Sequence, residues 1–275
     1  MRSVQKYNMF KKKFGVLLSE CGFVYKGGKF LCVRPGGVLL STGIELLSMG
    51  EGRILFEAIP FCCGITHPLK QACMHLPPLS RGYKERKKAA EEVFHEVQKG
   101  RMAYEEFLET MFLTDINAQF EAYRDTIYEK FVKIENVRDA LDFHEWMHRI
   151  HGYLAYPNIL EMECIYLGEY EKAAGYARFL LERYEMGYKK RLQEMENHIA
   201  AGEVADCTGA YQNAYFKETP DKIRLLRMDI EDIMHGHYER FEKIIDKNLE
   251  ISRQTCEMLF PDCSFTMQKA ANIKK

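Results

Sequence analysis

The sequence has little of what export, membrane insertion or phosphate chemistry requires. No apolar run approaches the roughly 18–20 residues of a membrane span, so no membrane partner is expected. No charge of one sign dominates: 39 basic against 40 acidic residues leave a formal charge of −1. That balance argues against broad, charge-driven binding to nucleic acid or an anionic surface. Gly27-Gly28 and Gly36-Gly37 are not followed by the Lys-Ser/Thr of a phosphate loop, and no GxSxG nucleophile elbow is present. No CxxC pair occurs, although the chain holds nine cysteines. The first residues are basic, but their apolar stretch is only FGVLL, with no small-residue cleavage site after it. They read as an amphipathic helix of the mature chain. An odd cysteine count without framework spacing then predicts free thiols and a cytoplasmic location.

What is present is material for a core. Hydrophobic residues make up 47% of 275, enough for one or two domains. A helix is predicted over 4–21, with Phe10, Phe14, Leu17, Leu18 and Cys21 on one face and Gly22 as its stop. Short β-like runs follow over 23–25, 30–34, 38–47 and 54–62, separated by Gly27-Gly28, by Pro35-Gly36-Gly37 and by 49–52. A four-strand antiparallel meander is expected, with the first helix covering one face.

From Pro68 onward the pattern is helical. Helices are predicted over 83–99, 102–113, 115–133, 137–156, 159–167, 170–201 and 219–259. Gly100 stops the first of them, Asn136 caps the fourth with Asp139 three residues on, and Pro157 ends it. The last is expected to open with Thr219 and Pro220, after a loop over 203–218. The fold class is therefore α+β. A helix-plus-meander domain over 1–75 is expected to precede a larger, elongated, all-helical bundle over 80–275.

The N-terminal pattern is a helix, then Gly22-Phe23, a basic residue, a small turn with Gly28, Phe30, and two longer strands. With Phe14 in the leading helix, it resembles the bacterial domain-of-unknown-function family 4304 over roughly residues 5–65. The resemblance implies a fold and carries no catalytic residue. The string at 167–182, with Gly168, Tyr170 and Ala173, resembles the second half of a tetratricopeptide repeat and implies a helical hairpin with a tight glycine corner.

One motif carries chemistry. His144-Glu145-Trp146-Met147-His148 is an HExxH, and His151 follows. On a helix, histidines four apart share a face and can hold one zinc while Glu145 polarises its water. Phe143, Trp146, Met147, Ile150, Tyr153 and Leu154 complete an apolar face without the histidines, which form their own stripe on its flank. The flanking Asp142 and Arg149 are charged where zinc-peptidase helices are usually uncharged. A third ligand would come from His151, Glu161 or Glu163, with Glu169 a further acidic candidate. A second group, Cys62, Cys63, His67, Cys73 and His75, has suitable ligand types. Its adjacent cysteines would point to opposite faces of a strand. His235 and His237, two apart on a continuous helix, would diverge. The run 81–88 reads as a solvated helix face with ion pairs to Glu91, Glu92 and Glu96.

The reading these features favour is a non-enzymatic binding or interaction protein, with no cofactor. It would meet a protein partner or small ligand, and its long helices could serve self-association. Sixteen Tyr and fourteen Met suit adaptable contact surfaces. The alternatives are a zinc-dependent hydrolase built on His144, His148 and Glu145, and a small-molecule binder with a pocket between sheet and helices.

Overall fold

A computed structural model describes residues 3–34, 36–46, 54–62, 65, 91–92, 94–151, 157–200 and 210–260. Helix α1 (Ser3–Leu18) passes into a 3-10 turn at Ser19–Cys21. Gly22 closes it at φ 80°, its N–H donating to the Ser19 carbonyl, a conformation glycine adopts without strain. Strands β1 (Val24–Lys26), β2 (Lys29–Arg34), β3 (Val38–Leu46) and β4 (Ile54–Cys62) follow. They pair in chain order, each antiparallel to the next. Gly27 and Gly28, at φ 59° and 84°, make the two-residue turn that matches strand twist. The register sets Leu40 opposite Pro60. Proline has no N–H to give, and β4 is the last strand of the sheet, where that costs least. All strand among the described residues lies within 24–62, as the glycine turns predict.

Cover on a single sheet face was expected, and the burial differs. Residues 38–44 of β3 are all buried, as are the described side chains of β4. Neighbours on a strand point to opposite faces, so both faces of these strands are covered. Helix α1 covers one: Phe10 meets Phe30 edge-on at 5.5 Å, and Phe14 stacks on Phe56 at 5.1 Å.

Residues 94–98 are helical, and Gly100 takes a left-handed φ of 67° after them. Helix α2 (Tyr104–Ala122) then runs through a π-helical turn (Tyr123–Ile127) into α3 (Tyr128–Phe131). A break near residue 114 was expected. Instead the Thr114 hydroxyl bonds back to the Thr110 carbonyl at 2.9 Å, and Asp115 is buried, so neither caps a new helix. Helix α4 (Val137–His151) opens with the predicted cap. Asn136 Oδ1 accepts from the Asp139 N–H at 3.1 Å, and Asp139 Oδ2 accepts from the Glu135 N–H at 2.9 Å. The turn before β3 is tied to this corner. Gly36 N–H donates to the Glu135 carbonyl at 3.2 Å, and Arg34 Nη2 donates to the Val132 carbonyl at 2.6 Å. A Cβ on Gly36 would fall 2.7 Å from the Asn136 Cα, so only glycine allows this approach. Tyr128 joins α3 to α1, its hydroxyl donating to the Leu17 carbonyl at 3.0 Å. Its contact with the Cys21 thiol, then burial, push the phenol up to about 12.

Helices α5 (Pro157–Tyr166), α6 (Tyr170–Ala200), α7 (Ala210–His235) and α8 (Glu239–Leu259) complete the chain's described elements. Gly168, at φ 76°, turns α5 into α6, with the Glu169 N–H donating to the Cys164 carbonyl at 2.8 Å. This is the predicted glycine corner. One helix over 219–259 was expected, and the structure has two. Gly236 ends α7 at φ 73°, and the His237 N–H donates to the Asp232 carbonyl at 2.8 Å. The apolar spacing from Met234 to Tyr238 and Phe241 steps across this break, which hides it from periodicity. The expected loop over 203–218 is also corrected: from residue 210 it is α7, with Pro220 inside and Thr219 buried. Pro220 forgoes one helical hydrogen bond there, and the helix continues past it.

Two compact units result. Unit 1 is Met1–Tyr153 with Leu249–Gln268, and unit 2 is Leu154–Asn248 with Lys269–Lys275. The limits 1–75 and 80–275 follow sequence texture. Compactness divides the chain elsewhere, because helices from both sides of residue 80 pack around the sheet's aromatic residues. Among the described residues no helix is long and apolar enough to cross a membrane. Cys21 is half-buried, and Cys32, Cys62, Cys164 and Cys256 are buried.

Candidate functional site

Trp146 is the chain's only tryptophan, and helix α4 holds it at the boundary between core and solvent. Its neighbours Phe143 and Met147 are buried, while the indole is half-buried. The Phe143 ring lies 5.7 Å from Trp146 and 5.7 Å from Phe131, which in turn lies 6.4 Å from Tyr123. The indole is thus the outer end of a row of core rings. Asp139, Asp142, Glu145 and Arg149 recur on α4 at steps of three or four and lie on one side. With Lys130, Lys133 and Ile134 from α3 and the turn after it, they enclose an open groove of about 440 Å³ beside Trp146. The Lys130 ammonium sits over the indole, 5.3 Å from its centroid. Lys133 is turned to Glu129, at 2.7 Å.

The groove sorts the HEWMH residues. Glu145 lines it with Trp146. His144 is only 3% exposed, so this member of the expected histidine stripe faces neither an open cleft nor solvent. Its ring lies 6.1 Å from that of Phe143, edge-on. His148 is half-buried, and its Nδ1 is enclosed with no hydrogen-bond partner among the described residues. The His151 side chain lies outside the described residues. Glu161 and Glu163 are buried on α5, in unit 2. Among the described residues no group of three or more His, Cys, Asp or Glu is placed to hold a metal. Of the cysteine–histidine group only Cys62 is described, as a buried thiol on β4. Cys63, His67, Cys73, His75 and the basic run 81–88 lie outside the described residues. His235 and His237 do not diverge. Gly236 breaks the helix between them, and their rings lie nearly parallel with centroids 5.9 Å apart.

Unit 2 has a polar centre that the sequence reading missed. Arg240 Nη2 donates to Asp229 Oδ1 at 2.5 Å, and its Nε donates to Asp232 Oδ2 at 2.8 Å. Tyr170 and Tyr238 stack beside the same turn, centroids 4.1 Å apart. Glu161 is 3% exposed, and its Oε1 has no hydrogen-bond partner among the described residues. Burial, reinforced by Asp229 and opposed by Arg240, pushes its carboxyl up to about 8. Burial also outweighs Arg240 at Asp229, whose carboxyl is raised. Asp229 and Asp232 stand three apart on one helix face, but Arg240 meets them only because Gly236 turns the chain back. The signal becomes legible once that turn is recognised. The groove was missed for a related reason: its residues come from two elements that periodicity treats separately.

No protein family, curated protein or solved structure matches this chain.

Proposed function

We propose that this chain is a binding protein, and that the groove between α3 and α4 is where it receives a segment of a partner protein. One observation carries the reading: the single tryptophan is half-buried at the groove wall, with core aromatics behind it and charges of both signs around it. Tryptophan is enriched among the residues that dominate binding energy, and such anchors sit in pockets ringed by polar groups. The volume is in the range that holds a small ligand or a few side chains. The groove lies between helices, so a pocket between sheet and helices is not needed for this reading. Tryptophan emission tests it directly, because every indole photon comes from the groove. Capped peptides of acidic, basic and apolar composition are titrated into the full chain. Saturable change with at least one class is expected. No change with any class overturns the reading.

A zinc-dependent hydrolase is the second reading, and it rests on His148. An enclosed Nδ1 with no partner is an atom that a metal would satisfy. Elemental analysis of protein purified without an affinity tag separates the two readings. Near-stoichiometric zinc that is lost in His148→Ala favours the hydrolase.

A further inference from the structure

The indole face on the groove already holds a cation of the chain's own. Lys130 is an exposed, flexible side chain, yet its ammonium lies over the face of Trp146. An indole face is electronegative and attracts cations. The wall beside it on α4 carries three carboxylates, Asp139, Asp142 and Glu145, against one cation, Arg149. Asp139 is spent on the helix cap, whereas Asp142 is exposed and stands one helical turn before the indole. Of the basic residues on the groove, Lys133 is paired with Glu129, and Lys130 is the cation held on the ring. An anionic side chain entering at Trp146 would meet the ring face and the carboxylates together. A cationic one would meet both favourably.

We infer that the groove takes the lysine side chain of a partner's peptide segment on the face of Trp146, and that Lys130 is a built-in competitor that this side chain displaces. The inference rests on the groove being a binding site, and adds its specificity. Its sharpest consequence is a gain of binding on removal of a residue. A cation on an exposed aromatic face is worth about 0.5–1 kcal/mol, so freeing the ring of Lys130 tightens binding roughly 2- to 5-fold. Loss of the Asp142 charge weakens it by a similar factor. Salt weakens it further, since the attraction is electrostatic and exposed.

The test uses the full chain and tryptophan emission. The probes are a capped Gly/Ser peptide with one central lysine and its counterparts with norleucine or glutamate at that place. The lysine peptide is expected to give a saturable change, and the other two none at the same concentrations. Lys130→Ala alters an exposed side chain, so the fold is not at stake, and it should bind the lysine peptide roughly 2- to 5-fold more tightly. Asp142→Asn should bind it less tightly. Binding of the glutamate or norleucine peptide in preference to lysine overturns the inference and leaves the groove reading standing. So does unchanged or weakened affinity in Lys130→Ala. Silence with these peptides and with the wider panel overturns both.

Discussion

The interior of unit 1 is a chain of rings. Phe30, Phe10, Phe14, Phe56, Tyr123, Phe131 and Phe143 follow one another at centroid separations of 4.7 to 6.4 Å, and Trp146 carries the row to the surface. The interior of unit 2 is built from small residues and charge. Ala173, Ala174 and Ala177 are buried on α6, Ala177 packs with Leu180 and Leu226, and Glu161, Asp229, Asp232 and Arg240 gather where α7 turns into α8. Large rings contribute apolar area and tolerate few replacements. Small residues allow close helices but contribute little area, so more of the specificity in unit 2 rests on polar contacts. The comparison teaches where each unit is vulnerable: unit 1 to lost volume, unit 2 to lost or gained charge.

The largest effect that sharpens the contrast is expected at Phe14, which touches Phe10, Phe56, Phe120 and Tyr123 and is fully buried. Phe14→Ala should cost about 3–5 kcal/mol, read as a fall in the urea midpoint. A cost below about 1 kcal/mol would mean that the ring chain does not organise unit 1. Gly36→Ala should come next, at about 3 kcal/mol, near the top of ordinary single substitutions, because a methyl group there collides with backbone at Asn136. In unit 2, Arg240→Ala strands two partly buried carboxylates, for about 2 kcal/mol. Equal loss from Arg240→Met and Arg240→Lys would show that the guanidinium fork is irrelevant.

Glu161 gives the most specific effect. Its carboxyl is raised from 4.5 to about 8 in the fold, so the folded chain keeps a proton that the unfolded chain releases. The stability this supplies is complete below pH 4.5 and is lost as pH rises through 8. Glu161→Gln should flatten that decline, seen as similar urea midpoints at about pH 5 and about pH 8.5. Asp229, raised in the same sense, leaves a residual slope of the same sign. A wild-type midpoint that rises over this interval would contradict the burial of a neutral acid here.

The contrast between units also explains what was legible in sequence. Strand pairs and caps follow from local chemistry, and Gly22, Gly27-Gly28, Asn136 and Gly168 each mark the turn or cap the structure shows. Apolar periodicity found the long helix α6. It failed at Gly236 because the stripe continues in phase across the turn, and at Pro220 because a proline that opens many helices here sits inside one. Burial of His144 was not legible either, since a helical wheel shows which residues share a face but not what packs against that face. The HEWMH string drew attention to α4, yet the residue that defines the groove is its tryptophan. The basic half of that groove comes from Lys130 and Lys133, which no motif joins to it.

The most direct measurement places a single reporter in unit 1 and asks whether ligand is felt there. Full-length protein labelled with 5-fluorotryptophan gives one fluorine resonance, from residue 146. Addition of the lysine peptide is predicted to move that resonance saturably, with a displacement that Lys130→Ala reaches at lower peptide concentration. A resonance that stays fixed while calorimetry on the same sample registers peptide binding would place the binding surface elsewhere, and would contradict the account.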